Sequence, residues 1–173
     1  LSSSQPGQGA GRVMLILCWL AALLLATWFF GAFEEKRENP NQNPASQRHE
    51  RSIEVALQSS SGGHYRMTGK INGEKVRLLL DTGATSVAIP VGVAKRLNLR
   101  SGAGVSIRTA NGTATAHMTR LDSLQLGDIA LYDVEALISP GMEGEEILLG
   151  MSALRQLEFT HKDGRLLLRQ NLP

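Results

Sequence analysis

Cysteine is almost missing from this chain: one residue, Cys18, in 173, and it lies inside an apolar run. A disulfide framework and a thiolate-based zinc site are thereby excluded. Charge excess is missing too, with 18 Lys and Arg against 16 Asp and Glu, and from Ser52 onward 13 basic residues face 12 acidic ones. A nearly neutral domain lacks the electrostatic footprint of a nucleic-acid binder, so no nucleic-acid partner is expected. The four histidines, His49, His64, His117 and His161, are scattered, with no His-Glu-x-x-His and no pair spaced for zinc. A Gly-x-Ser-x-Gly elbow and a phosphate-binding loop are also lacking, and GQGAG at Gly7 precedes no strand–helix unit. The expectation is a protein with no metal and no cofactor.

What is present divides into zones. Residues 1–12 form a short tail, and Val13–Phe33 is 21 residues without a charge. That run is long enough to cross a hydrocarbon layer of about 30 Å at about 1.5 Å per residue, and it reads as a transmembrane helix. Trp28, Phe29 and Phe30 suit an interfacial belt, and Arg12 and the Glu34–Glu38 cluster bound it. The alternative is a cleaved signal peptide, for which the apolar core is long and no clear Ala-x-Ala site follows. Arg12 on one side faces Lys36 and Arg37 on the other, so the positive-inside count does not favour an inside N-terminus. Residues 34–62, with Pro40, Pro44, several Asn and Gln, and the Ser59–Gly63 joint, read as a flexible tether. A folded domain is expected over 63–173.

Within that domain the hydrophobic periodicity is that of strands. Asn72-Gly73 predicts a two-residue hairpin between "HYRMTGKI" and "EKVRLLL". "SVAIP" reads as a short strand ended by Pro90, and Asn111-Gly112 as the tip of a second hairpin. Two alternating strands flank Gly127-Asp128, and "GRLLLRQ" makes a last strand after the Asp163-Gly164 turn. Helical signal is confined to Val93–Leu97 and Met151–Leu157. The predicted class is all-β, sandwich or barrel-like, with one or two short helices and the N-terminal membrane helix.

The densest chemical signal is "LLLDTGAT", in which Leu78–Leu80 run into Asp81-Thr82-Gly83-Ala84. This resembles the active-site loop of aspartic proteases, and Ala84 resembles the retroviral subgroup rather than pepsin, where serine is usual. Downstream, "EEILLGMSAL" is similar to the second signature of that subgroup, and "TANG" falls where the family carries its flap hairpin. With the apolar N-terminal run, the whole resembles bacterial membrane-anchored retropepsin-like proteases. The resemblance covers the chain from about His64 onward and implies a retropepsin-like half-barrel fold.

It also implies roles. Two carboxyls sharing one proton can supply both the base for water and the acid for the peptide, and this chain carries one such motif. The implied catalytic group is therefore Asp81, paired with its copy at the two-fold axis of a homodimer. Thr82 would brace the opposite loop across the axis, while Gly83 and Ala84 complete the active-site loop. Thr109, Ala110, Asn111 and Gly112 would form the flap over a bound peptide or protein substrate. Ile147, Leu148, Leu149 and Gly150 would be scaffold behind the site. Placement in the bacterial inner membrane through Val13–Phe33, as a single-pass protein with a periplasmic protease domain, follows from the same resemblance. The competing class is a non-catalytic dimerisation or peptide-binding module that retains the fold. A phosphotransfer aspartate is disfavoured, because Asp81 is not followed by the Lys-Thr-Gly-Thr of the ATPase pattern.

Overall fold

A computed structural model describes residues 8–109 and 112–172, which separate into two units, Leu1–Arg37 and Glu38–Pro173. The described residues of the first unit lie in one helix, α1 (Gln8–Glu38), whose last residue falls in the second unit. Its stretch Gly11–Glu38 is long and apolar enough to cross a membrane. Trp19, Leu24 and Trp28 are among the apolar side chains it exposes.

The second unit runs β1 (Ala45–Arg48), β2 (Ser52–Gln58), β3 (Arg66–Ile71), β4 (Glu74–Leu80), β5 (Val87–Pro90), α2 (Val91–Arg96), β6 (Gly104–Thr109) and β7 (Gly112–Leu126). It continues with β8 (Ile129–Ser139), β9 (Glu146–Leu149), α3 (Met151–Leu154), β10 (Glu158–Lys162) and β11 (Arg165–Asn171). The larger sheet has the order β3-β4-β9-β5-β8-β7-β6, and an additional β3–β7 pairing closes it into a barrel with β6 left outside the seam. A second, antiparallel sheet has the order β1-β2-β11-β10.

The turn chemistry fixes the hairpins. Asn72 and Gly73 have φ of 50° and 88°, and Asp163 and Gly164 have 51° and 72°, the paired positive values of a type I′ turn. At the second predicted hairpin the register pairs Thr109 with Gly112, so Gly112 (φ 110°) belongs to the ladder, and Ala110 and Asn111 lie outside the described residues. The short helices begin at Val91 and Met151 and stop earlier than their periodicity suggested, at Arg96 and Leu154.

Two features differ from the expected organisation. Residues 34–62, expected as a tether, contain the end of α1 and both β1 and β2. Ile53, Val55 and Leu57 alternate onto the core from β2, a period-two pattern outweighed in the sequence by the polar residues around it. Asn41 anchors the same region: its Nδ2 donates to Gln58 O (2.8 Å) and Arg66 O (2.6 Å), and its Oδ1 accepts from Gln58 N (2.7 Å). The other difference is that Glu158–Lys162, not expected as a strand, forms β10 as the partner of β11.

The long β7–β8 hairpin changes its buried face midway. Leu124, Leu126, Ile129 and Leu131 are buried near the turn, whereas Leu121, Val134 and Ala136 are buried beyond it, a three-residue step in each strand. Asp133, with φ of 57°, sits at that step and accepts a hydrogen bond from Arg120 Nη1 at 2.6 Å. The bend lets one hairpin present core side chains on opposite faces of its two halves.

The barrel seam rests on Gly69. Its buried position faces Gln125, and a Cβ there would lie 2.7 Å from the Gln125 carbonyl oxygen and 2.5 Å from Leu78 Cδ1. Backbone cannot yield as a side chain does, so Gly69→Ala forces the β3–β7 pairing apart. We expect a stability loss of about 1–3 kcal/mol, read as a lower denaturant midpoint of the strand signal in circular dichroism.

Candidate active site

Asp81 leaves the end of β4 where that strand runs parallel to β9, with Leu80 in register with Leu149. The Asp81 amide donates to Leu149 O at 3.2 Å, so the residue is held at the level where β9 ends and α3 begins. Ile147 and Leu149 are fully buried, and Leu148 alternates to the other side and pairs with Ala88 of β5. β9 thus separates β4 from β5, and the segment joining those two strands must cross over its end. That segment is Asp81–Ser86.

The crossing requires a glycine. A Cβ on Gly150 would overlap the carbonyl oxygen of Ser86 and lie 2.7 Å from that of Ala84. Once the backbones are this close, they bond: Met151 N donates to Ala84 O (2.8 Å) and Ser152 N to Thr85 O (3.0 Å). The buried Ser152 hydroxyl completes the clamp, accepting from Val87 N at 3.0 Å and donating to Glu135 O at 2.8 Å.

Inside the loop, Gly83 N donates to Asp81 Oδ1 at 2.9 Å and Ala84 N donates to Asp81 O at 3.2 Å. A Cβ on Gly83 would stand 3.1 Å from Asp81 Oδ1, tighter than ordinary contact. Asp81 is half-buried, whereas Thr82 and Gly83 are exposed. The carboxylate is therefore oriented by its own loop and remains partly open to solvent. Behind it, Arg66 Nε donates to Glu146 Oε1 at 2.7 Å and ties β3 to β9.

The structure brings Asp81, Ala84, Leu149 and Gly150 together. Thr109 and Gly112 lie elsewhere, at the end of the β6–β7 hairpin, where the Thr109 hydroxyl donates to Gly112 O at 2.8 Å. Among the described residues no three His, Cys, Asp or Glu side chains converge as a metal site.

A family model described as gag-polyprotein putative aspartyl protease matches residues 67–156, from β3 through α3. The chain belongs to this family. It is 32% identical over 109 residues to a Sinorhizobium protein described as an uncharacterized protein in the cobV 5′ region. That match covers 61% of this chain and 47% of the relative, so it spans about half of the relative's length. Among solved structures, the chain is similar to a retropepsin-like aspartic protease from Rickettsia conorii, with a TM-score of 0.56 at 21% identity over 75% of this chain and 96% of that one. The fold is thus retropepsin-like, the class expected from the sequence. An EIAV protease complexed with the inhibitor HBY-793 matches at 18% identity and a TM-score of 0.47, covering 57% of this chain and 92% of that one.

Ser152 is the positioning residue that sequence reasoning missed. It stands inside the quoted "GMSAL" motif, but a lone serine at the start of a short helix carries no signal of bridging two strands. Ser152→Ala leaves the Val87 amide and the Glu135 carbonyl without their side-chain partner. A stability loss of about 1–3 kcal/mol is expected, measured by denaturant unfolding, with no change in secondary-structure content under native conditions.

Proposed function

We propose that the chain is a membrane-anchored aspartic endopeptidase whose site is completed by a second copy, each contributing Asp81. The observation that carries this reading is the half-buried Asp81 on an open loop, clamped from behind by Gly150–Ser152 and accompanied by no second carboxyl in its loop. Family membership supports peptide hydrolysis as the reaction.

Two carboxyls brought close share one proton. The ionised member takes a proton from water, whose oxygen bonds to the scissile carbonyl carbon, while the protonated member donates to the carbonyl oxygen. Proton transfer to the amide nitrogen then lets the C–N bond break, releasing an amine and a carboxylic acid. Thr82 braces the paired loops and Gly83 keeps the approach clear. An extended peptide would lie between this floor and the β6–β7 hairpin, whose strand β6 ends the larger sheet among the described residues and can accept an added strand. Thr109, Ala110, Asn111 and Gly112 would cover it and exclude water.

The full chain in detergent, given a mixed peptide library, is expected to cleave peptides. Asp81→Asn should lower the rate by at least about 10²–10⁴-fold with circular dichroism unchanged. Equal cleavage by the two proteins would sink the protease reading, and no cleavage by either would favour a binding module.

The apolar span Gly11–Glu38 supports a single-pass anchor in the bacterial inner membrane with the second unit in the periplasm. An added protease should leave that unit intact in whole cells and digest it once the outer membrane is permeabilised. Protection in both conditions would place it in the cytoplasm.

A further inference from the structure

The outer face of the β3–β4 hairpin carries cations that peptide hydrolysis at Asp81 does not use. Thr68 is in register with Arg77, and Lys70 with Lys75. Met67, Ile71, Val76 and Leu78 turn into the core, so Thr68, Lys70, Lys75 and Arg77 share the opposite face. Lys70 and Lys75 follow the closing pair Ile71↔Glu74 of a two-residue turn, which makes them a non-hydrogen-bonded pair, the kind whose side chains stand closest. Like charges set directly opposite repel. From α2, Arg96 Nη1 donates to Lys75 O at 3.4 Å and brings a further cation to the same place.

Two recesses adjoin along this face and share Thr68 and Lys75. One takes in Lys70 with the amide side chains of Gln42, Asn43 and Gln125, and the other takes in Arg77 and Arg96. Glu145 is the one carboxylate that lines either recess. Among the described residues, Lys70, Lys75 and Arg96 have no carboxylate within ion-pair distance. The face thus offers cations and amide donors together, the groups that hold a phosphodiester.

We infer that this face is a docking surface for the anionic phosphodiester headgroups of the bilayer that α1 enters, an inference that rests on the reading of Val13–Phe33 as a membrane anchor. Chain length selects lipid over a soluble anion. Asn39 follows Phe33, the last residue of the uncharged run, by six residues, a length that reaches at most about 21 Å when fully extended. Asn39 is buried, and its Nδ2 donates to Thr68 Oγ1 at 2.9 Å. Thr68 N donates to Asn41 O at 3.0 Å. The connection therefore ends on Thr68, and Lys70 stands only about 7 Å further along β3. Headgroups occupy roughly 5–8 Å beyond the hydrocarbon, so the tether keeps these cations in the neighbourhood of that layer and raises their effective concentration there.

The candidate site lies at the other end of the same strand. Lys75 and Asp81 are six residues apart, about 20 Å along β4. Docking at the start of β4 holds the barrel by the end that Asp81 does not occupy, and it leaves the carboxylate to a peptide.

The test uses the full chain with Cys18→Ser, Asp81→Asn and Glu74→Cys, a fluorophore attached at position 74, in vesicles that include a nitroxide-headgroup lipid as a contact-range quencher. Quenching should be stronger with phosphatidylglycerol present than in phosphatidylcholine alone, and NaCl at about 0.5 M should abolish the difference. Each lysine near an anionic surface contributes about fivefold, so Lys70→Gln with Lys75→Gln should lower the docked-to-free ratio about 25-fold, with circular dichroism unchanged. Arg48→Gln with Arg51→Gln, at the β1–β2 turn where Glu50 and Glu54 stand beside the cations, should leave the ratio within about twofold. Equal quenching in the two lipids, or equal loss from both double variants, overturns the inference. Loss of the difference with inorganic phosphate but not with chloride at equal ionic strength also overturns it, in favour of a discrete phosphate site. Flotation of the same chain reads the anchor separately. Flotation on phosphatidylcholine vesicles without lipid-dependent quenching keeps the anchor and removes the docking, whereas flotation on anionic vesicles alone keeps the docking and removes the anchor.

Discussion

The contact on which the site depends is between two backbones. Where Gly150 meets Ala84 and Ser86 there is no room for a methyl group, and the amides of Met151 and Ser152 reach the carbonyls of Ala84 and Thr85 because of that. A carboxylate at the end of a strand is ordinarily free to swing. Here its loop is fastened to the start of a helix, and the helix is fastened to β5 and β8 through the Ser152 hydroxyl. The position of Asp81 is thereby coupled to the middle of the barrel. A carboxylate held by such backbone contacts is ordered before any ligand arrives.

The barrel provides a rigid frame because it has few loose ends. The β3–β7 pairing closes the larger sheet at Gly69, and the bend at Asp133 lets β7 and β8 serve two parts of the core. Among the described residues every buried side-chain nitrogen and oxygen has a partner, so the polar ties add order without the cost of unsatisfied groups. Asn41 is the clearest case: its three side-chain bonds hold a Pro- and Asn-rich segment against β2 and β3.

Local chemistry was readable where one residue type has few alternatives. Asn72-Gly73 and Asp163-Gly164 adopt the positive φ pairs that their turns demand, and the Leu78–Leu80 run ending at Asp81 gave the strand that delivers the loop. What escaped depends on contacts between distant residues. The alternation of Ile53, Val55 and Leu57 was legible but sat among polar neighbours, and only β11 supplies the partner that makes it a strand. The three-residue step at Leu121–Leu124 breaks a period-two pattern that cannot, from sequence alone, be told from two separate strands. Gly112 fell in the ladder and not at the turn because register depends on both strands of a hairpin, and the Asn-Gly pair specifies a turn only when both residues lie between the closing pair.

An open strand edge is a hazard in a protein that must not aggregate, and charges are a usual defence. Glu158 and Lys162 serve as that defence at the two ends of β10, because an apolar strand arriving there would have to desolvate them. At the edge strand β6 the one charged residue is Arg108, so that edge is less guarded than β10. The edge strands β6 and β10 thus differ in how strongly charge guards them, and the less guarded one is the strand that leads into the β6–β7 hairpin.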